Sequence, residues 1–76
     1  MRLRAYLTAT GESARAFAVR SGVPHRSVLN VLERGTCTAT TALAIIRASH
    51  EHPTPGGGTI ALEDLVVEDD AEGDAA

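Results

Sequence analysis

Three consecutive residues, Gly22-Val23-Pro24, divide the middle of this chain into two short runs of helical pattern and leave almost no linker between them. A glycine just past a helix can adopt the left-handed conformation that closes the last turn, and a proline, with fixed φ and no N–H, suits the first turn of the next helix. The first run, about Ser13 to Ser21, has Ser13 to cap its start and carries Phe17 and Ala18 on its inner face. Small Ala14 leaves room for close approach. The second run, about Pro24 to Glu33, places Val28, Val31 and Leu32 at helical spacing, so His25, Arg26, Ser27, Leu29 and Asn30 face outward. Val23 points into the angle between the two helices.

The rest of the chain reads as support for this pair. Leu3, Tyr6 and Leu7 fall at i, i+3 and i+4, which predicts an opening helix over about Arg2–Thr10, released by Gly11. Two roles are open for Tyr6: a reach to phosphate, or a core position with its hydroxyl at the surface. After the pair, Arg34 to Thr38 reads as a short polar loop, and Thr38 caps a fourth helix over about Ala39–Ser49 whose inner face is Ala42, Leu43, Ile45, Ile46 and Ser49. Pro53-Thr54-Pro55-Gly56-Gly57-Gly58 breaks that helix and predicts a flexible loop. Thr59-Ile60 is briefly extended, and Leu62, Leu65 and Val66 then form the face of a short amphipathic helix over 61–67, too small to be stable without packing on something. The expectation is an all-α domain of four to five helices over residues 1–67, followed by a disordered acidic tail over 68–76.

Charge is divided along the chain. Residues 1–50 carry seven arginines against Glu12 and Glu33, a net of +5, whereas residues 51–76 carry eight carboxylates and no base, −8. A basic body with an acidic end fits a nucleic-acid binder with a self-shielding tail, and it equally fits a tail that only solubilises. A chain of 76 residues holds one domain with a modest core, burying about 60% of its unfolded surface, so a partner subunit is a natural source of stability. One cysteine, Cys37, excludes an internal disulfide, and a redox role for it needs an electropositive setting that the sequence does not establish. His50-Glu51-His52 has no third or fourth ligand nearby, so no metal and no cofactor are expected. Met1-Arg2-Leu3-Arg4 leads into an amphipathic helix instead of an apolar signal, and no run approaches a membrane span, so the expected location is the cytoplasm.

An alanine near the middle of the first helix, Gly22-Val23 at the turn, valine within the second helix and the closing Arg34-Gly35 together resemble the helix-turn-helix of the lambda repressor and Cro-like family. The likeness covers about residues 3–67 and is strongest over 13–48. It implies that the second helix is a recognition helix entering the DNA major groove. Carried over by position, His25, Arg26, Ser27 and Asn30 would read bases. Ser13, Arg15, Arg34, Gly35, Thr36 and Thr38 would meet the phosphate backbone. The threonines serve equally well as plain helix caps. Where many relatives have glutamine near the start of the first helix of the motif, this chain has Ala14, which moves that phosphate contact to Arg15 or to backbone N–H groups. The proline and glycine insertion before residue 59 is a second departure. In the family a short segment after the fourth helix closes the domain or the dimer, which here points to Ile60, Leu62, Leu65 and Val66.

The expected function is therefore a sequence-specific double-stranded DNA-binding transcriptional regulator, a Cro-like repressor of bacterial or phage origin acting as a homodimer on a palindromic operator. The alternative is an antitoxin-type or other protein-interaction module in which residues 56–76 bind a protein partner. No enzyme is expected, since no acid and base are paired and Gly56-Gly57-Gly58 follows no strand. Single-stranded nucleic acid is disfavoured because Tyr6 and Phe17, the only aromatic residues, belong to inner faces.

Overall fold

A computed structural model describes residues 1–67, and the acidic stretch 68–76, expected to be disordered, lies outside the described residues. Four α-helices account for most of what is described: α1 (Leu3–Thr10), α2 (Ala14–Ser21), α3 (His25–Arg34) and α4 (Ala39–Glu51). The punctuation lies where the residue types place it. Ser13 and Thr38 cap α2 and α4 with their side-chain oxygens, accepting from Ala16 N and Thr41 N. Gly22 and Gly35 close α2 and α3 at φ 79° and 76°, a region where a Cβ would be strained. Pro24 is the residue that caps α3, one position earlier than a first helical residue.

The core forms where the helices meet. Leu3, Tyr6 and Leu7 from α1 and Phe17 and Ala18 from α2 are buried together with Val28 and Val31 from α3 and Ala42, Ile45 and Ala48 from α4. Tyr6 and Phe17 meet edge to face, centroids 5.8 Å apart, an arrangement worth roughly 0.5–1.5 kcal/mol beyond the area it buries. Tyr6 is fully buried, hydroxyl included in an internal network: it donates to His52 O and accepts from Arg20 Nη2. That removes it as a phosphate contact. On α4 the inner face is rotated from the expected one, with Leu43 63% exposed, Ile46 half-buried and Ala48 in its place at 2%.

The segment after α4 differs most from expectation. Residues 53–58 form a closed turn: Thr54 N donates to Gly58 O, Gly57 N to Thr54 O, and Gly58 N to Thr54 Oγ1. A Cβ at Gly58 would stand 2.9 Å from both Met1 Cε and Thr54 Oγ1, so a larger residue there would force those side chains to shift. Of the short helix expected over 61–67, only one 3-10 turn forms, Leu62–Asp64. Val66–Val67 is instead a strand, β2, paired in parallel with β1 (Thr36–Cys37), in the register Thr36 with Val66 and Cys37 with Val67. The supposed polar loop after α3 is therefore partly a strand. Ile60 and Leu65, expected at a dimer interface, are 0% and 7% exposed within the chain's own core, whereas Leu62 and Val66 stand 57% and 58% exposed. Ile60 is fixed further by its N–H, which donates to the buried Ser49 Oγ at 2.9 Å. Residues 56–67 are thus an integral part of the domain and not a detached arm.

Candidate nucleic-acid interface

Helix α3 has one buried side and one open side, and its anchors fix which is which. Val28 and Val31 are buried on the core side, Val23 fills the turn before them, and Arg4 Nη2 donates to Leu32 O at 3.1 Å from α1. His25, Arg26, Leu29 and Asn30 are left exposed, with Ser27 half-buried at the edge. At the end of the helix Gly35 N–H donates to Val31 O and turns the chain into β1, which is held in place when Val66 N donates to Gly35 O at 2.9 Å. Three residues after Gly35, Thr38 caps the start of α4. The ending of α3, β1 and the start of α4 are therefore held at fixed positions relative to one another by backbone hydrogen bonds.

They enclose an open recess of about 190 Å³ lined by Ser27, Asn30, Arg34, Thr36, Cys37, Thr38 and Thr41. Three hydroxyl-bearing threonines, a serine, an amide and one guanidinium converge there, and among the described residues no carboxylate lines it. Such a set can donate to phosphate oxygens and exchange hydrogen bonds with base edges, since arginine offers paired donors and asparagine a donor beside an acceptor, patterns that base edges match. Among the described residues it holds no paired acid and base. Thr38 does both duties its residue type allows, as its Oγ1 accepts from Thr41 N at 3.3 Å and donates to Thr41 Oγ1 at 3.2 Å.

Of the expected site residues, Ser27, Asn30, Arg34, Thr36 and Thr38 are brought together on this recess. Arg15 and His25 flank a separate hollow with Ala18, Val19 and Val23 at the α2–α3 turn. Gly35 lies on a third hollow with Arg2, Arg4, Arg34, Glu63 and Asp64. Arg26 is exposed on α3 next to Ser27, and Ser13 is exposed at the start of α2 with its Oγ engaged as a cap by Ala16 N at 3.0 Å. Thr41 was not anticipated in the site. Its signal was available, three residues after the Thr38 cap, where a polar side chain reaches back to the capping residue.

Arg20 occupies a different environment. Its Nε and Nη2 donate to the two Glu12 oxygens at 2.9 Å, Nη1 donates to Ala48 O at 2.8 Å, and the guanidinium lies 5.3 Å from the Phe17 ring centroid. The Arg20 hydrogen bonds hold the Glu12 carboxyl below its ordinary value of 4.5, and the carboxylate in turn raises Arg20. Arg20 is therefore committed to the fold and unavailable to a ligand. At the other end of the chain Asp64 Oδ2 accepts from the Met1 ammonium at 2.8 Å and from Ala61 N at 2.9 Å, and the ammonium chiefly lowers its pKa.

Among the described residues no three His, Cys, Asp or Glu side chains are grouped so as to hold a metal, and His52 serves instead as the carbonyl acceptor for Tyr6. No helix of the described residues is long and apolar enough to cross a membrane. Compared with protein-family models, with curated proteins and with solved structures, the chain matches none of them.

Proposed function

We propose that this chain is a helix-turn-helix DNA-binding protein similar to the lambda repressor and Cro-like family, a cytoplasmic transcriptional regulator that reads double-stranded DNA through the major groove. One observation carries this reading. The open side of α3 presents His25, Arg26 and Asn30 while Ser27, Asn30, Arg34, Thr36 and Thr38 converge beside it, so a base-reading face and a phosphate-gripping edge would adjoin on one surface. Arg26 would pair with guanine and Asn30 with adenine, with His25 and Ser27 bonding to neighbouring base edges. Arg34, Thr36, Thr38 and the Gly35 backbone would grip phosphates on one side, with Arg15 and the start of α2 at Ser13 on the other.

Homodimerisation on a palindromic operator belongs to this reading, with the exposed Leu62, Val66 and Val67 as the surface of contact in place of the buried Ile60 and Leu65. The same exposed residues favour a second reading, an interaction module whose C-terminal segment binds a protein partner. Selection of bound sequences from a random duplex pool separates the two. A two-fold symmetric motif with half-sites about one helical turn, ~34 Å, apart is the result expected of the DNA-binding dimer. No enrichment would transfer the assignment to the interaction module.

A further inference from the structure

Along its open side α3 carries one carboxylate that does nothing for the fold. Arg26, Leu29, Asn30 and Glu33 fall at i, i+3, i+4 and i+7 of the helix, and all four are exposed. Glu33 therefore continues the stripe that Arg26 and Asn30 begin. Its side chain makes no ion pair and no hydrogen bond among the described residues, although Arg34 is its neighbour in sequence. It also stands in the last turn of α3, where the helix end is itself negative and a carboxylate is unfavourable. Burial, ion pairing and the helix dipole are thus all removed as reasons for an acid at this position.

On a surface that meets DNA the position is more demanding still. A carboxylate there is repelled by every phosphate, and it is compensated only where a base edge offers it a donor. The amino groups exposed in the major groove are cytosine N4 and adenine N6. Adenine sets its N7 acceptor beside the amino group, facing the second carboxylate oxygen, whereas cytosine presents N4 with no acceptor on the same base. From this placement we infer that Glu33 is a specificity-determining residue, its carboxylate accepting from the N4 amino group of a cytosine in the half-site that Arg26 and Asn30 read.

The inference rests on the DNA-binding reading of α3. Helix geometry says where the cytosine lies. Glu33 is roughly 10 Å along the axis from Arg26, at about 1.5 Å per residue, which is about three base steps of about 3.4 Å when the helix lies along the groove. The same charge works against every other sequence, so Glu33 lowers affinity for random duplex while the cognate site stays favoured.

The experiment selects bound sequences from one random duplex pool with three forms of the full chain: unmodified, Glu33→Gln and Glu33→Ala. Anisotropy of a labelled random duplex and thermal unfolding are measured for each. The unmodified chain should select a cytosine about three base pairs from the guanine assigned to Arg26. Glutamine offers a donor beside an acceptor and should move that column to adenine, while alanine should leave it without preference. Preference for cytosine should fall roughly 5–100-fold in either variant. Random duplex should bind about 2–5-fold tighter at about 50 mM salt, since one repelling charge is gone. Unfolding midpoints should stay level or rise. A motif that keeps its guanine and adenine columns and is unchanged in both variants would overturn the inference and leave the DNA-binding reading standing. A lowered unfolding midpoint with an unchanged motif would overturn it too, by making Glu33 structural. No motif from the unmodified chain would defeat the DNA-binding reading and this inference with it.

Discussion

On the side where α1, α2 and α4 meet, the Arg20 guanidinium is used up: two bonds to Glu12, one to Ala48 O, one to the Tyr6 hydroxyl, and the Phe17 ring beneath it. On the open side of α3, Arg26 and Arg34 make no ion pair among the described residues, and the polar groups around Arg34 converge on solvent. Arg20 and Arg26 lie six residues apart in the sequence, and nothing in their immediate neighbours tells them apart. What separates them is the partner across a helix break, since Glu12 precedes α2 and reaches Arg20 only once α2 has formed. Net positive charge therefore overstates the surface available to a polyanion, because Arg20, among the seven arginines, is committed to the fold.

The widest gap between the two sides should appear on removing the guanidinium. Arg20→Ala leaves Glu12 without its partner in a setting where its side chain is 15% exposed, and it should cost about 3–5 kcal/mol. A domain this size has roughly 4–10 kcal/mol in all, so thermal unfolding should move down steeply. Arg26→Ala or Arg34→Ala should change stability by less than about 0.5 kcal/mol. An equal melting shift for Arg20→Ala and Arg26→Ala would erase the distinction.

The C-terminal segment divides in the same way, on a finer scale. Leu65→Asp puts a carboxylate into the core and should lower stability by about 3–4 kcal/mol, much of what a domain this size has. Leu62→Asp with Val66→Asp, both at exposed positions, should leave the fold intact by circular dichroism while sedimentation shows any dimer dissociating.

Acid sharpens the comparison further. Because the folded-state pKa of Glu12 lies below its ordinary 4.5, the stability it contributes is fully present above the ordinary carboxylate range and is lost as pH falls through the depressed value. The contribution is about 1–3 kcal/mol, typical of hydrogen bonds to a charged group. Asp64, lowered chiefly by the Met1 ammonium, acts in the same direction. Glu12→Gln should therefore flatten the acid limb of a stability–pH curve without abolishing it, and an unchanged limb would mean the pair forms too loosely to matter. The smallest effect expected is at Arg34, where replacement by alanine should weaken binding to all duplexes alike and reduce the salt slope by about one unit.

The α2–α3 unit was legible because its signals are local: Ser13, Gly22, Pro24, Gly35 and Thr38 each act within a turn of the helix they start or stop. The outward set on α3 followed from the helical spacing of Val28, Val31 and Leu32. The β1–β2 pair was not legible, since two-residue strands have no periodicity and their partners lie 30 residues apart, while Leu62, Leu65 and Val66 satisfy a helical pattern that the backbone does not adopt. On α4, Ala48 is too small to signal its burial and Leu43 large enough to mislead. The strand pair positions Thr36 beside Thr38 and Thr41 on the recess, so the residues proposed to face phosphate could be named singly but their shared recess could not.

The claim at the centre of this account is that the open side of α3 reads base sequence. The direct measurement is parallel selection from one random duplex pool with the unmodified chain and with Arg26→Ala. The account predicts a loss of preference at one base position per half-site, with a cost of about 1–3 kcal/mol at the original site and the rest of the motif retained. Identical motifs from the two proteins would contradict it.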